Sequence, residues 1–110
     1  MDNIFADIPE QLPEELITRV LDKPGIRIER IVSQGHRSEP GFWYEQDENE
    51  WLVLIQGQAR LRFADEQQDR QLIAGDTLLI PAAVRHRVAW TSEQPPCIWI
   101  CLFYPAEPSG

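Results

Sequence analysis

From residue 26 onwards, apolar residues occur in short runs that are separated by residues typical of turns. Glycine, proline and aspartate fill most of the breaks, which indicates tight connections. The predicted strands are 26–33, 42–46, 51–56, 59–64, 70–73, 77–80, 86–91 and 98–104. Short strands at close spacing, with no helix between them, are typical of a β-sandwich or barrel. We therefore predict an all-β fold for this part of the chain.

Two of these runs indicate how the sheets are covered. In the run 59–63, Arg60 and Arg62 alternate with apolar residues, so one face of this strand should pack against the core and the other should be exposed to solvent. The run 51–55 is apolar at every position, so both of its faces should be covered. One cover would be the barrel interior, and the other an N-terminal helix, a second copy of the chain, or both. Together with the small size of the chain, this pattern predicts a homodimer.

The segment before residue 26 has a different pattern. Pro13 suits the first position of a helix, two glutamates follow it, and Pro24-Gly25 would end the helix. The apolar residues that follow helical spacing are Leu16, Ile17, Val20 and Leu21. We expect a short helix over 13–21, within an N-terminal extension of residues 1–25 that precedes a barrel of residues 26–110.

Composition narrows the function classes. The 110 residues include 18 acidic and 10 basic side chains, giving a net charge of −8. Nucleic-acid binding needs clustered Lys and Arg, so we expect no nucleic-acid partner and no anionic membrane surface. The chain starts without the features of a signal peptide, and we expect a cytoplasmic protein. Cys97 and Cys101 lie too far apart on one strand to bridge, so they are predicted to be buried free thiols.

Two spaced motifs carry a family resemblance. Glu50 and Gly57 match the E-x6-G end of the first cupin motif, and Gly75, Pro81 and His86 match the spacing of the second. The chain thus resembles the small single-domain bacterial cupins of the RmlC-like superfamily. The resemblance implies a double-stranded β-helix, the jelly-roll barrel, with a small-molecule pocket inside it.

The resemblance also implies a metal site that this chain only half retains. Glu50 and His86 occupy two ligand positions of the family. The paired histidines of the first motif fall on Tyr44 and Gln46, or one residue earlier in the longer family spacing. Tyr44, Gln46, Glu50 and His86 are therefore tentative ligands for one divalent metal (Fe, Mn, Ni or Zn). Alternatively, Glu50 and His86 form a metal-free pair that Gln46 or Tyr44 completes.

The strand that begins at His86 carries further candidates. Trp90 stands at the last motif position, where the family has asparagine. With the period of two of a strand, His86, Val88 and Trp90 share one face, so Trp90 should narrow the pocket below His86. Arg85 and Arg87 should face the other way and pair with acidic surface groups.

Two classes of function remain open at this stage, besides a purely structural protein with a filled barrel. One is an enzyme of oxygenase, isomerase or lyase type, either metal-assisted or with Glu50 or His86 as general base. The alternative is a non-catalytic module that binds or senses a small ligand between Tyr44 and Trp90.

Overall fold

Two antiparallel sheets make up the fold in the computed structural model, which describes residues 2–106. The strands are β1 (Leu16–Lys23), β2 (Ile26–Ser33), β3 (Glu48–Gln56), β4 (Gln58–Phe63), β5 (Arg70–Ile73), β6 (Thr77–Ile80), β7 (His86–Thr91) and β8 (Cys97–Pro105). The larger sheet has the order β1-β2-β8-β3-β6, and the smaller one has the order β5-β4-β7. The all-β class predicted from the apolar pattern is confirmed.

The predicted helix over 13–21 is wrong. Most of that segment forms β1, which pairs with β2 from Leu16 opposite Val32 to Lys23 opposite Ile26. Pro24-Gly25, which we had expected to end a helix, instead makes the hairpin turn between the two strands. Pairing with the edge of β2 satisfies a row of backbone groups, and this long-range gain outweighs the local helical spacing.

The predicted strand over 42–46 is also wrong, although the segment follows the edge of β7. Tyr44 is an isolated bridge: its N–H donates to the His86 carbonyl (2.7 Å), and its carbonyl accepts from the His86 N–H (3.1 Å). Nearby, the Phe42 N–H donates back to the carbonyl of Glu39, which closes a turn (3.0 Å). This turn interrupts the ladder, so a single bridge forms in place of a strand.

An irregular N-terminal segment covers the outer side of β2. Arg30 points to that side and is 1% exposed. Its Nη1 donates to the carbonyls of Ile4 (3.2 Å) and Ala6 (2.5 Å), and its Nη2 donates to Thr18 Oγ1 (3.2 Å). Turns of the N-terminal segment, held on the buried Arg30 guanidinium, thus cover the outer side of β2.

The core lies between the two sheets. It consists of Leu52, Leu54, Ala59, Leu61, Phe63, Leu72, Ile80, Cys97, Trp99, Cys101 and Phe103. Cys97 and Cys101 are free and buried, as predicted. On the opposite side of the larger sheet, Trp51 remains 38% exposed. Among residues 2–106 there is no helix that is long and apolar enough to cross a membrane.

Candidate active site

A cavity of about 250 Å³ opens between the two sheets, with strands of both sheets in its wall. The four tentative site residues Tyr44, Gln46, Glu50 and His86 all line it. Glu50 is near the start of β3, and His86 is the first residue of β7. The structure therefore brings together, from different elements, the residues that the two sequence motifs single out.

Glu50 is a buried carboxyl group with polar neighbours. It is 7% exposed, and its Oε1 accepts a hydrogen bond from Gln46 Nε2 at 3.1 Å. Burial raises the pKa of Glu50, because the charged form loses its hydration. The Gln46 hydrogen bond, the nearby His86 and the Cys101 thiol oppose this shift without cancelling it. Glu50 therefore keeps its proton to higher pH than an exposed glutamate does.

His86 is oriented by its backbone and its ring contacts. It is 5% exposed, and its Nδ1 lies 3.1 Å from the carbonyl oxygen of Val84. A carbonyl can only accept, so we assign a proton to Nδ1, and in the neutral tautomer Nε2 then carries the lone pair. The Tyr44 ring stacks on the imidazole with centroids 5.4 Å apart and 23° between the planes. In that tautomer, His86 can accept a proton through Nε2.

Tyr44 is a weak candidate for a metal ligand. Burial raises its pKa, and the nearby Glu15 and Glu50 raise it further. The phenol consequently stays protonated, although only the phenolate is a good ligand. Its contact with His86 is made through the ring faces.

The remaining donors do not fit a tightly held divalent metal. In the part of the chain that the structure describes, no three His, Cys, Asp or Glu side chains converge into a ligand group. Glu50 and His86 are two firm donors, and Gln46 turns its amide nitrogen toward Glu50. Catalytic zinc sites commonly use three protein ligands and an open position, one firm donor more than is present here.

Several lining residues were missed by the sequence reasoning. Arg27 and Glu29, both from β2, face the cavity, and Arg27 Nε lies 3.1 Å from Glu29 Oε2. Two charged residues at alternate positions of a strand were the available signal, since they must share a face. Cys101 also lines the cavity, and its pKa is raised well above the ordinary value by burial and by the charge of Glu50.

Trp90 does not lie below His86, so its predicted place in the pocket is wrong. A register shift makes Leu61 pair with Val88 and Arg60 pair with Trp90, which leaves Ala89 as the extra residue of a β-bulge. Because cross-strand partners point to the same side, Trp90 faces outward with Arg60. Its ring lies 5.0 Å from the Arg60 guanidinium carbon.

Comparison with known families identifies the fold. Residues 30–103 match the family model of the cupin domain. A crystal structure from Ralstonia eutropha, provisionally named a mannose-6-phosphate isomerase, is 39% identical, and the match covers 96% of this chain and 98% of that chain with a TM-score of 0.93. A search of curated proteins finds no match.

Two more distant structures support the same architecture. An RmlC-like cupin from Methanocaldococcus jannaschii, described as a double-stranded beta-helix, is 15% identical over 90% of this chain and 87% of that one, with a TM-score of 0.70. An RmlC-like cupin from Shewanella frigidimarina is 17% identical over 84% and 77%, with a TM-score of 0.66. These likenesses show the fold alone, and the predicted jelly-roll barrel is confirmed.

Proposed function

Because the chain belongs to the cupin domain family, we propose that its barrel cavity is a small-molecule active site in which Glu50 and His86 transfer protons. One observation carries the proposal. A buried carboxyl group with a raised pKa and a buried imidazole whose Nδ1 faces a carbonyl oxygen line the same open cavity. General acid–base catalysis uses such a pair, a carboxylic acid that keeps its proton to higher pH and an imidazole whose other nitrogen can accept one.

The proposed reaction is an isomerisation or elimination next to a carbonyl group. His86 Nε2 takes the proton from the carbon beside the carbonyl, and protonated Glu50 gives a proton to the carbonyl oxygen. In the isomerisation, the enediol then takes the proton held by His86 at the former carbonyl carbon, and the hydroxyl on the neighbouring carbon returns a proton to Glu50 as the new carbonyl forms. In the elimination, the enol returns its hydroxyl proton to Glu50, and the group on the next carbon leaves with the proton held by His86. No electrons leave the substrate in the isomerisation, so it needs no redox partner. The Ralstonia structure bears the name of an isomerase, which fits this reaction class.

The charges in the cavity favour an uncharged substrate. Glu15, Glu29 and Glu50 line the cavity together with a single arginine, Arg27. That arginine already contacts Glu29 at 3.1 Å and Glu48 at 2.9 Å. A phosphate group would meet more carboxylates than free cations, so we propose an uncharged carbonyl compound with hydroxyl groups, such as an aldose or ketose.

The non-catalytic alternative is supported by the apolar part of the cavity wall. Trp99 and Phe103 from β8, together with aliphatic side chains of both sheets, form most of it. An apolar wall suits a cavity that binds a small ligand without changing it. The alternative no longer includes Trp90, which faces outward.

The test is transfer of deuterium from solvent to the carbon beside a carbonyl group. Protein purified without an affinity tag is incubated in D₂O with a panel of aldoses and ketoses, free and phosphorylated, and the products are analysed by mass spectrometry. Glu50→Gln and His86→Gln should each slow incorporation about 10²- to 10⁴-fold. Trp90→Phe, a substitution outside the cavity, should leave the rate unchanged.

Three results would count against parts of this proposal. Incorporation that survives in both variants would remove Glu50 and His86 from the reaction. Ligand binding without any exchange would favour the non-catalytic module. A stoichiometric metal found in the wild-type protein, and lost from both variants, would overturn the metal-free mechanism.

A further inference from the structure

The outer face of the smaller sheet carries a concentration of cations and indole rings. We call this surface the arginine face. It consists of Arg60, Arg62, Arg85 and Arg87, with Trp43 and Trp90 between them. The chain as a whole has 10 basic residues and a net charge of −8, so four arginines on one face are a strong local departure from its composition.

Most of these cations have no carboxylate partner. Arg62 Nη1 lies 3.4 Å from Asp69, but within residues 2–106 no carboxylate oxygen comes within 4 Å of Arg60, Arg85 or Arg87. The prediction that Arg85 and Arg87 pair with surface acids is therefore wrong. Both guanidinium carbons instead lie near the Trp43 ring, at 5.6 and 5.8 Å from its centroid.

The register across the two strands places like charges opposite each other. Arg62 on β4 is the direct cross-strand partner of Arg87 on β7. Like charges in this position destabilise a sheet. A carboxylate at either position would relieve the repulsion. Asp69 at 3.4 Å from Arg62 and the Ser38 carbonyl at 3.2 Å from Arg87 offset part of this repulsion. The positive charge that remains on the face is what an external anion would compensate.

The spacing of the arginines favours an extended ligand. Arg60 and Arg62 are two residues apart on β4, which separates them by about 6.6 Å along the strand. Arg85 directly precedes β7 and stands two residues before Arg87. An extended peptide repeats its side chains on one side at the same interval. Acidic residues at alternate positions would therefore meet successive arginines in register.

We propose that the arginine face binds an acidic segment of a partner protein in extended conformation. Arginine binds carboxylates with two parallel hydrogen bonds, and arginine and tryptophan are enriched at the hot spots of protein–protein interfaces. Cavities of about 270 Å³ beside Trp43 and Arg87 and about 240 Å³ beside Arg60 and Trp90 leave room for further side chains. The net charge of −8 repels any polyanion, and a peptide with acidic residues only at alternate positions carries fewer negative charges per length than a polyphosphate does.

The test titrates the protein with an acetylated, amidated (Glu-Thr)₄ peptide at low salt, with calorimetry as the readout. Arg85→Gln/Arg87→Gln should weaken binding about tenfold, because two charge-assisted contacts are lost. Lys23→Gln/Arg19→Gln, which removes the same charge from the larger sheet, should change affinity by less than about twofold. A Glu₄Thr₄ peptide of the same composition should bind more weakly than the alternating one. Unchanged melting temperatures show that all variants are folded.

Several outcomes would overturn the proposal. Equal losses in the two double variants would mean that only net charge matters. A single-stranded oligonucleotide that binds more tightly than the peptide, and is released by Arg85→Gln/Arg87→Gln, would make the occupant a nucleic acid. Self-association of the wild-type protein that this variant abolishes would make the occupant a second copy. Absence of peptide binding at millimolar concentration would remove the site.

Discussion

Replacing Gly57 by alanine should cost far more stability than the same change at Gly75. Both glycines lie in short connections between strands, and both have similar positive φ angles, +91° and +95°. The left-handed backbone cost of an alanine, about 1–2 kcal/mol, is therefore common to both sites. Alanine also restricts the unfolded chain more than glycine does, and the resulting gain in stability, about 0.4–1 kcal/mol, is common to both sites as well.

The two sites differ in what a new methyl group would meet. At Gly75 nothing lies within 4 Å of the added Cβ. At Gly57 the Cβ would lie 2.9 Å from Ser92 Oγ and 3.0 Å from both Cα and Sγ of Cys97. Cys97 is fully buried in β8, so its backbone cannot move away cheaply. Such overpacking typically costs about 1–3 kcal/mol. We expect a total loss of about 2–4 kcal/mol at Gly57 and about 1 kcal/mol at Gly75.

Urea unfolding followed by tryptophan fluorescence measures both values, with thermal melting as a second readout. A difference of 1 kcal/mol shifts the melting temperature of a domain near this size by about 4 °C or more. Adding Ser92→Ala to Gly57→Ala should recover only part of the loss, because the Cys97 backbone remains in place. Losses at the two sites that agree within about 0.5 kcal/mol would refute the steric reasoning.

Four further predictions test other parts of the molecule. Burial raises the pKa of Glu50, so the folded state holds that proton more tightly than the unfolded chain does, and the stability of the wild-type protein should fall as pH rises from about 4.3 toward the folded pKa. Glu50→Gln should lack this pH dependence when the free energy of unfolding is measured by urea titration at several pH values. Stability curves of the two proteins that run parallel with pH would contradict the prediction. Ala83 has a φ of +67°, a conformation that strains alanine but not glycine, so Ala83→Gly should raise the free energy of unfolding in urea by about 0.5–1 kcal/mol. A lower free energy of unfolding in this variant would contradict the prediction. Cys97 and Cys101 are 0% and 2% exposed, so neither should react with a thiol reagent until the protein unfolds, and rapid labelling of the native protein would disagree with their burial. Finally, we propose a homodimer formed through the outer side of the larger sheet, where the cross-strand partners Trp51 and Leu79 are 38% and 51% exposed. Trp51→Glu should yield monomers in analytical ultracentrifugation, whereas Ile73→Glu on the smaller sheet should leave the dimer intact. A wild-type protein that sediments as a monomer would contradict the proposal.

Strand positions were predictable where the segment pairs along its whole length. The ranges 26–33, 70–73, 77–80 and 86–91 correspond to β2, β5, β6 and β7 residue for residue. The N-terminal strand β1 was not predictable, since Leu16, Ile17, Val20 and Leu21 fit a helix as well as a strand. Only the exposed edge of β2 decides between them, and no local pattern contains that edge.

The candidate site was predictable where spacing alone carries the signal. Glu50 and His86 were identified from two motifs, and the structure places both on the cavity. Arg27 and Glu29 were missed because a strand pattern shows that they share a face but not which face is inside. Trp90 was misplaced because the extra residue of a bulge leaves no trace in the sequence.

On either side of the bulge at Ala89, the two halves of β7 contribute side chains to opposite sides of the smaller sheet. Its first half supplies His86 and Val88 to the cavity, and its second half supplies Trp90 to the arginine face. Deletion of Ala89 would remove the extra residue, and Trp90 would then follow Val88 directly and still face outward opposite Arg60. The extra residue therefore lies on the outer side of β7 and does not decide which side chains enter the cavity. The outer surface can gain or lose a residue at this point while the lining of the pocket stays the same.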